Sequence, residues 1–313
     1  MRTAAGFHDG ELAVQARAGV SGAAARLVGM LAPPDLGGGA SQFLGAREFA
    51  VLTARDVDGA LWAAPLSGPR GFLRADGGVL RVDAEPDAGG PLADVPEGQP
   101  VGLLVIDFET RRRMRVNGTL EARGADEAGG LRIAVEQAFG NCPQYIQRRQ
   151  LDRVGPSGGG DAGPDRYRTR TSLDPGQADL VRRADTFFLG TVHPSRGADA
   201  SHRGGAPGFV RVDRGELWWP DYQGNNMFNS MGNLAVDPSA ALLFLDFAAG
   251  RALHLSGTAV VEWTEPGVPG DDDNTGRRVR FTPHRIVEGP VALRAAEAVA
   301  YPRNPQPNDG PEA

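Results

Sequence analysis

Two short segments hold the residues best suited to grip a ligand. Ser201-His202-Arg203 is one, and the run Asp221-Tyr222-Gln223-Gly224-Asn225-Asn226 is the other. An arginine such as Arg203 offers a planar fork of donors that matches phosphate oxygens. Gly224 lets a loop backbone approach a ligand closely, and Asn225 and Asn226 add amide donors. Tyr222 and the Trp218-Trp219 pair supply aromatic surface. Together these groups suit a phosphorylated aromatic ligand. Plainer alternatives stand beside that one: a core tryptophan next to a strand-edge tryptophan, and an ordinary polar turn at 221–226.

Other reactive side chains point less far. His193 and His202 have no matching carboxylate pattern, so no metal site is expected. Cys142, beside Pro143, is expected to be a small buried residue, with a pocket-lining thiol as the alternative. Asp271-Asp272-Asp273 reads as a solvated loop. His8, Asp9 and Glu11 fall at the entry to an interface, in a spacing that does not require catalysis. No nucleophile or acid–base pair stands out, and no catalytic residue is assigned. The chain contains no lysine, so all 33 basic side chains are arginine. A lysine Schiff base with pyridoxal phosphate and a Walker-type phosphate loop are both excluded.

The segments that position these residues occur twice. Gly71-Phe72 returns as Gly208-Phe209, and Leu103-Leu104-Val105-Ile106-Asp107-Phe108 returns as Leu242-Leu243-Phe244-Leu245-Asp246-Phe247. Asn117-Gly118-Thr119 returns as Ser256-Gly257-Thr258, and residues 49–53 match 187–191. A nearly constant offset across four matches predicts two related β-rich domains. In the first copy Ala64-Pro65-Leu66 stands where the second has Ser201-His202-Arg203. Past Leu80 the first copy likewise lacks the amides and aromatics that follow Leu217. The scaffold persists in copy one while the ligand groups are gone.

Short strand-like runs broken by Gly, Pro and Asp turns, such as the hairpin dipeptide Asp58-Gly59, point to a barrel or sandwich. The expected organisation is a degenerate repeat at 41–124, a helical connector at 125–154, a flexible linker at 155–166, a site-bearing repeat at 167–288 and a tail at 289–313. Leu131, Val135, Ala138 and Phe139 follow the spacing of one helical face, with Gly140-Asn141 as the stop. Asp174, Pro175 and Gln177 have the pattern of an N-cap, a first helical residue and a capping box. The Pro- and Asn-rich end from Pro302 is expected to be disordered.

Composition sets the outer bounds. The 313 residues are 41% hydrophobic and 23% charged, which is globular and allows two cores. Apolar runs have strand length, so no membrane span is expected, and the N-terminal residues show no signal-peptide core. One cysteine cannot form an internal disulfide, and a cytoplasmic location is expected. A net charge of −6 argues against nucleic acid as a partner.

Ser201-His202-Arg203-Gly204-Gly205, Pro207-Gly208-Phe209, Asp221-Tyr222-x-Gly224-Asn225 and Gly232-Asn233-Leu234 together resemble the pyridoxamine 5′-phosphate oxidase-like family of FMN-binding split β-barrels. More narrowly they are similar to the branch described as predicted flavin-nucleotide-binding proteins. Phe7-His8-x-Gly10-Glu11 and Phe139-Gly140-Asn141-Cys142-Pro143-x-Tyr145-Ile146-x-Arg148-Arg149 are similar to that branch too. The resemblance implies a mainly β chain of two tandem FMN-binding split β-barrels with flanking helices. It implies a flavin phosphate held by Arg203 and the 221–226 loop, with Ser201, His202, Asp221, Tyr222, Gly224, Asn225, Asn226 and Asn233 around the cofactor. Relatives often place a Ser and a basic residue where Asn225 and Asn226 stand, and the missing cation falls to Arg211 unless that side chain faces solvent. Barrels of this family pair around their flavin, which implies an intrachain pseudo-dimer: copy two grips the phosphate, copy one covers part of the ring, and a homodimer is a further option. The implied cofactor is FMN, with F420 or haem as alternatives. The implied activity is two-electron chemistry between a small-molecule substrate and an electron donor, against a non-catalytic flavin- or haem-binding carrier or sensor, or a decayed site. The Trp-containing Arg-Leu-x-Pro ending of true vitamin B6 oxidases is absent, so that reaction is not expected.

Overall fold

The computed structural model describes residues 6–32, 34, 36–124, 129–154 and 166–308. Helices α1 (Asp9–Arg17), α2 (Ser21–Ala25) and α3 (Gly38–Gly45) precede strands β1 (Phe49–Arg55), β2 (Leu61–Ser67), β3 (Leu73–Asp76), β4 (Val79–Val82), β5 (Pro100–Asp107), β6 (Arg112–Arg123) and β7 (Leu131–Asn141). After β8 (Leu151–Arg153) and β9 (Arg168–Arg170) come α4 (Pro175–Arg183), β10 (Thr186–His193), β11 (Gly197–Gly204), β12 (Arg211–Asp213) and β13 (Glu216–Pro220). Helix α5 (Asn229–Val236), β14 (Ser239–Asp246), β15 (Arg251–Trp263), β16 (Arg277–Pro290) and β17 (Leu293–Ala295) complete the chain. The chain is mainly β, built on antiparallel sheets. Among the described residues no helix is long and apolar enough to cross a membrane.

The first antiparallel sheet runs β2-β1-β5-β6-β7-β4-β3, and the second runs β11-β10-β14-β15-β16-β13-β12, with β9 added on β16. Apart from that added strand, the two orders are the same. Local chemistry explains the turns. The β1–β2 hairpin closes on Asp56, whose carboxylate accepts from the amides of Asp58 and Ala60 and from the Trp62 indole. Gly59 supplies the positive φ (+82°) that the turn requires. Helix α4 begins as its sequence predicts, with Asp174 and Gln177 in a reciprocal capping box and Pro175 in the first turn.

Strand register corrects one match of the repeat. Val51 pairs with Leu104, whereas Phe188 pairs with Leu243, the counterpart of Leu104. Ala50, not Phe49, therefore occupies the place of Phe187. A one-residue slip moves a side chain to the other face of a sheet, and burial agrees. Ala50 and Phe187 lie in the two separate cores, while Phe49 and Phe188 meet in a third cluster between the sheets. With this register Ala64, Pro65 and Leu66 do stand where Ser201, His202 and Arg203 stand.

The helix expected at 131–139 is strand β7. Leu131, Ile133 and Val135 also alternate with polar or small residues, so the segment satisfies both periods. Long-range pairing decides: β7 bonds to β6 on one side and β4 on the other. The 125–154 segment is thus no helical connector over its described part. The expected linker falls at 155–165, outside the described residues, apart from Arg166. The tail is ordered through Asn308, against expectation. Tyr301 is buried with its amide on the Gln147 side chain, the Asn304 amide donates to the same oxygen, and Asn308 donates its backbone N–H to Asp272. Its polar composition conceals these backbone-to-side-chain contacts. Asp271-Asp272-Asp273 is not a solvated loop either. Asp271 is buried and accepts from the amides of Gly267, Thr275 and Gly276.

The sheets meet closely. Phe49 packs edge-on to Phe188 at 5.7 Å between centroids, with Val51, Leu104, Ile106, Leu243 and Leu245 around them. At two points glycine removes the side chain altogether. A Cβ on Gly102 would lie 2.7 Å from the Asp199 backbone, and one on Gly190 would lie 2.6 Å from the Thr53 side chain. His254 of β15 crosses the interface and donates its Nδ1–H to the Ala63 carbonyl at 2.8 Å.

Gly102→Ala should cost about 1–3 kcal/mol through this overpacking, read from urea unfolding. Gly78→Ala, where a Cβ meets nothing within 4 Å, should leave the midpoint nearly unchanged. Burial lowers the His254 pKa from 6.5 to about 4. As pH falls below 6.5 the unfolded chain takes up this proton first, so stability drops between pH 6.5 and 4, by up to about 3 kcal/mol, and levels off below. His254→Gln should flatten the unfolding free energy across that window relative to wild type.

Candidate functional site

A cavity of about 830 Å³, counted out through its mouth, opens between the sheets. The second sheet supplies His202, Arg203 and Gly204 from β11, Trp219 and Pro220 from β13, the 221–226 loop and the first turn of α5. The first sheet supplies Arg113 and Arg115 from β6 and Asn141, Cys142, Gln144 and Tyr145 at and beyond the end of β7. Strand alternation puts Arg113 and Arg115 on one face of β6, as it puts Asp199, Ser201 and Arg203 on one face of β11.

Cations dominate the walls. Arg203 donates to Asp221 at 3.1 Å, and Arg277 donates to the other oxygen of the same carboxylate at 3.0 Å. Arg115 reaches both oxygens of Asp199, at 3.0 and 2.9 Å. Arg113 donates to the Gln144 carbonyl at 2.7 Å and to Nδ1 of His202 at 2.9 Å. A guanidinium can only donate, so Nδ1 is the acceptor and the His202 proton sits on Nε2. Burial, then Arg113, Arg149 and Arg203, push the His202 pKa well below its usual value, and the ring is neutral. Burial and the neighbouring Arg115 and Arg203 lower Arg113 to about 9. Four buried polar atoms on these walls lack a partner among the described residues: Arg203 Nε, His202 Nε2, Asn141 Oδ1 and Trp219 Nε1. Native structures leave few such atoms unsatisfied, so the lining fits a polar ligand.

The loop is held rigidly. Asn226 and Phe228 have φ of +62° and +60°, a strained region for a phenylalanine. The Asn225 side chain accepts from the Met227 amide at 3.1 Å, so its oxygen shapes the loop. At the mouth the Tyr145 hydroxyl donates to the Gln223 carbonyl at 3.1 Å, and Tyr222 donates to Asp272 at 3.2 Å. Asp273 accepts from the Gln223 amide at 2.6 Å. Arg211 is spent on Asp272, with two contacts of 2.8 Å, and does not line the cavity. The extra cations come instead from Arg113 and Arg115 of the first sheet.

Helix α5 is fixed by α1. Gly10 and Gly232 let the helices cross in backbone contact, since a Cβ on Gly232 would lie 2.6 Å from the Glu11 nitrogen. Buried Glu11 accepts from the Asn229 side chain at 2.5 Å and from the His8 amide at 2.8 Å. His8 caps α1 and donates Nε2–H to Asn233 at 3.1 Å, while the Asn233 amide donates to Thr191 at 3.0 Å.

Of the residues expected at the site, His202, Arg203, Asp221, Tyr222, Gly224, Asn225 and Asn226 line the cavity. Ser201 lies behind the wall, bonded to the Leu189 carbonyl and to Ser230, and Asn233 belongs to the α1–α5 contact. Trp219 is a core residue and Trp218 is half-buried, the plainer arrangement for that pair. Cys142 lines the cavity, as its alternative role had it. His8, Asp9 and His193 do converge, their ligand-type atoms within 4.8 Å of one another. Their lone pairs are taken, however. His193 Nδ1 accepts from Ser195 at 3.1 Å and its Nε2–H faces Asp9 at 3.3 Å, so the cluster is wired as a helix cap. Arg113, Arg115 and Tyr145 had no assigned role in the sequence. Their one visible signal is the alternation Arg111-Arg112-Arg113-Met114-Arg115, which sets Arg113 and Arg115 on one strand face.

Residues 173–269 match the family model described as pyridoxamine 5′-phosphate oxidase. No curated protein matches the chain by sequence. Among solved structures the chain is similar to the haem-storage protein HutZ of Vibrio cholerae, at 12% identity, covering 38% of this chain and 97% of that one, with a TM-score of 0.29. It is similar to an FAD-binding protein of Mycobacterium smegmatis, at 12% identity over 41% and 100% of the two chains, with a TM-score of 0.26. A Clostridium acetobutylicum protein of the pyridoxinephosphate oxidase family, related to general stress protein 26 of Bacillus subtilis, matches at 17% identity over 38% and 89%, with a TM-score of 0.25. The matched span 173–269 includes His202, Arg203 and the whole 221–226 loop.

Proposed function

We infer that the cavity binds a phosphorylated flavin, FMN, and that the protein uses it in two-electron chemistry on a small molecule supplied with reducing equivalents by a separate donor. One observation carries this reading. Guanidinium groups of both sheets, Arg113, Arg115 and Arg203, converge on one cavity, and the Arg203 Nε there is buried without a partner. Two carboxylates, Asp199 and Asp221, balance them only in part, and a phosphate would complete the balance. Tyr145 and Tyr222 offer surface for the flavin ring.

A bound flavin would supply the hydride and electron chemistry. The chain's own residues then have limited tasks. Arg203 and Arg113 hold the anion, Tyr145 and Tyr222 narrow the mouth, and neutral His202 offers its Nε2–H as a donor. Burial and Asp273 raise the Tyr145 pKa, and burial and Asp272 raise that of Tyr222, so neither phenol is a base near neutral pH. Haem is less well served. An axial imidazole must present a lone pair, whereas the Arg113 contact places the His202 proton on Nε2. F420 carries a phosphate as well and competes with FMN on the same donors. A carrier without turnover would share the cavity and differ only in the absence of a reducible substrate.

Purified protein should show a flavin spectrum that releases FMN on heating, or bind added FMN with quenching of its fluorescence. Arg203→Ala and Arg113→Gln should each weaken FMN by about 10–100-fold, the loss of a charged hydrogen bond. Riboflavin, which lacks the phosphate, should bind all three proteins alike. Unchanged FMN affinity in both variants would overturn the assignment.

A further inference from the structure

The matching strand order gives the ligand cavity a counterpart on the opposite side of the molecule. Arg113 pairs with Asn141 across β6 and β7, and Ala252 pairs with Gly289 across β15 and β16, so Gly289 stands in the place of Asn141. Leu80 pairs with Ile133 and Leu217 with Phe281, which sets Asp87 in the place of Gly224. Tyr167 fills the space between these counterparts. Its ring lies directly on Gly289, where any Cβ would overlap it, and its hydroxyl hydrogen-bonds Asp87.

Outside this plug lies a second cavity, about 1290 Å³ counted through its mouth, bordered by Arg166, Arg168, Arg251 and Arg294 together with Glu288 and Asp87. Its acids are committed. Glu288 accepts from Arg251 at 2.9 Å and from Gln177 at 2.8 Å, and Asp87 takes the Tyr167 hydroxyl. No carboxylate pairs with Arg166 or Arg168 among the described residues. The Arg294 guanidinium is seated in a notch that exists because residue 250 is glycine, with its Nη1 donating to the Leu293 carbonyl at 3.0 Å. A chain of net charge −6 has thus gathered four guanidinium groups around one concave surface, where low-dielectric walls focus their field.

We propose that this second cavity binds a phosphate-bearing small molecule, with Arg166, Arg168 and Arg294 as its donors. The inference rests on the two sheets' common register, independent of which ligand the first cavity takes.

Inorganic pyrophosphate titrated into the full-length protein by calorimetry provides the test. Arg166 and Arg168 are exposed, so a double variant, Arg166→Ser with Arg168→Ser, should melt like wild type by circular dichroism. It should bind pyrophosphate at least ten-fold more weakly while its FMN affinity is unchanged. Arg203→Ala should keep the wild-type pyrophosphate affinity at this cavity. The proposal is overturned if wild-type protein gives no saturable heat, or if the double variant binds as wild type does. Loss in Arg203→Ala alone would assign the pyrophosphate to the first cavity and overturn it equally. Failure of FMN binding would leave the pyrophosphate readouts intact, so the two assignments fail separately.

Discussion

The site depends on one buried carboxylate. Asp199 is 3% exposed and sits on β11 of the second sheet. It receives both contacts of Arg115 and a long one from Asn117, both on β6 of the first sheet, and the Ser230 hydroxyl at the start of α5. A buried charge is tolerated only when paired and hydrogen-bonded, and here the partners come from two elements outside its own strand, β6 of the first sheet and helix α5. The sheets and helix α5 must therefore dock together for any of these groups to be satisfied. Gly102, in van der Waals contact with the Asp199 backbone, is what allows β5 to come close enough. Geometry at the cavity is thus a by-product of inter-sheet packing and cannot be assembled by the second sheet alone.

That dependence explains what could be read from the sequence. Arg203 and the 221–226 loop are local features: a fork of donors and a glycine-containing polar loop advertise themselves wherever they occur. Arg113 and Arg115 do not, because β6 reads as a strand with a solvated basic face until a second sheet is placed over it. The β7 segment fails for a related reason. Leu131, Ile133, Val135 and Phe139 fit helical and strand periods alike, and the choice lies with β4 and β6, remote in sequence. The match of Phe49 to Phe187 erred by one residue because an aromatic identity outweighed the facing pattern. Only the pairing with β5 and β14 shows that Ala50 fills the larger residue's place.

The two inter-sheet cavities have diverged along physical lines. In the first, Gly224 borders open space and the tyrosines stand at the mouth. In its counterpart Tyr167 is drawn in from the segment before β9 and rests on Gly289. An unfilled space there would forfeit packing against the first core, and an aromatic ring with a bonded hydroxyl restores it. The first cavity avoids that fate because its walls are polar and charged, which makes filling it with a side chain costlier than leaving it to a ligand.

Charge also decides what chemistry the first cavity can support. Its imidazole is held neutral by burial and by three guanidinium groups, and its phenols are driven to higher pKa by burial and by the Asp272 and Asp273 carboxylates. Neither that imidazole nor those phenols are thereby poised to exchange a proton near pH 7, as general acid–base catalysis requires. What the walls do provide is a fixed positive field, held by arginines whose own acids are too few to cancel it. Such a field favours a ligand that becomes more negative as it reacts. The flavin proposed for this cavity would answer to that description, since it gains electrons on reduction.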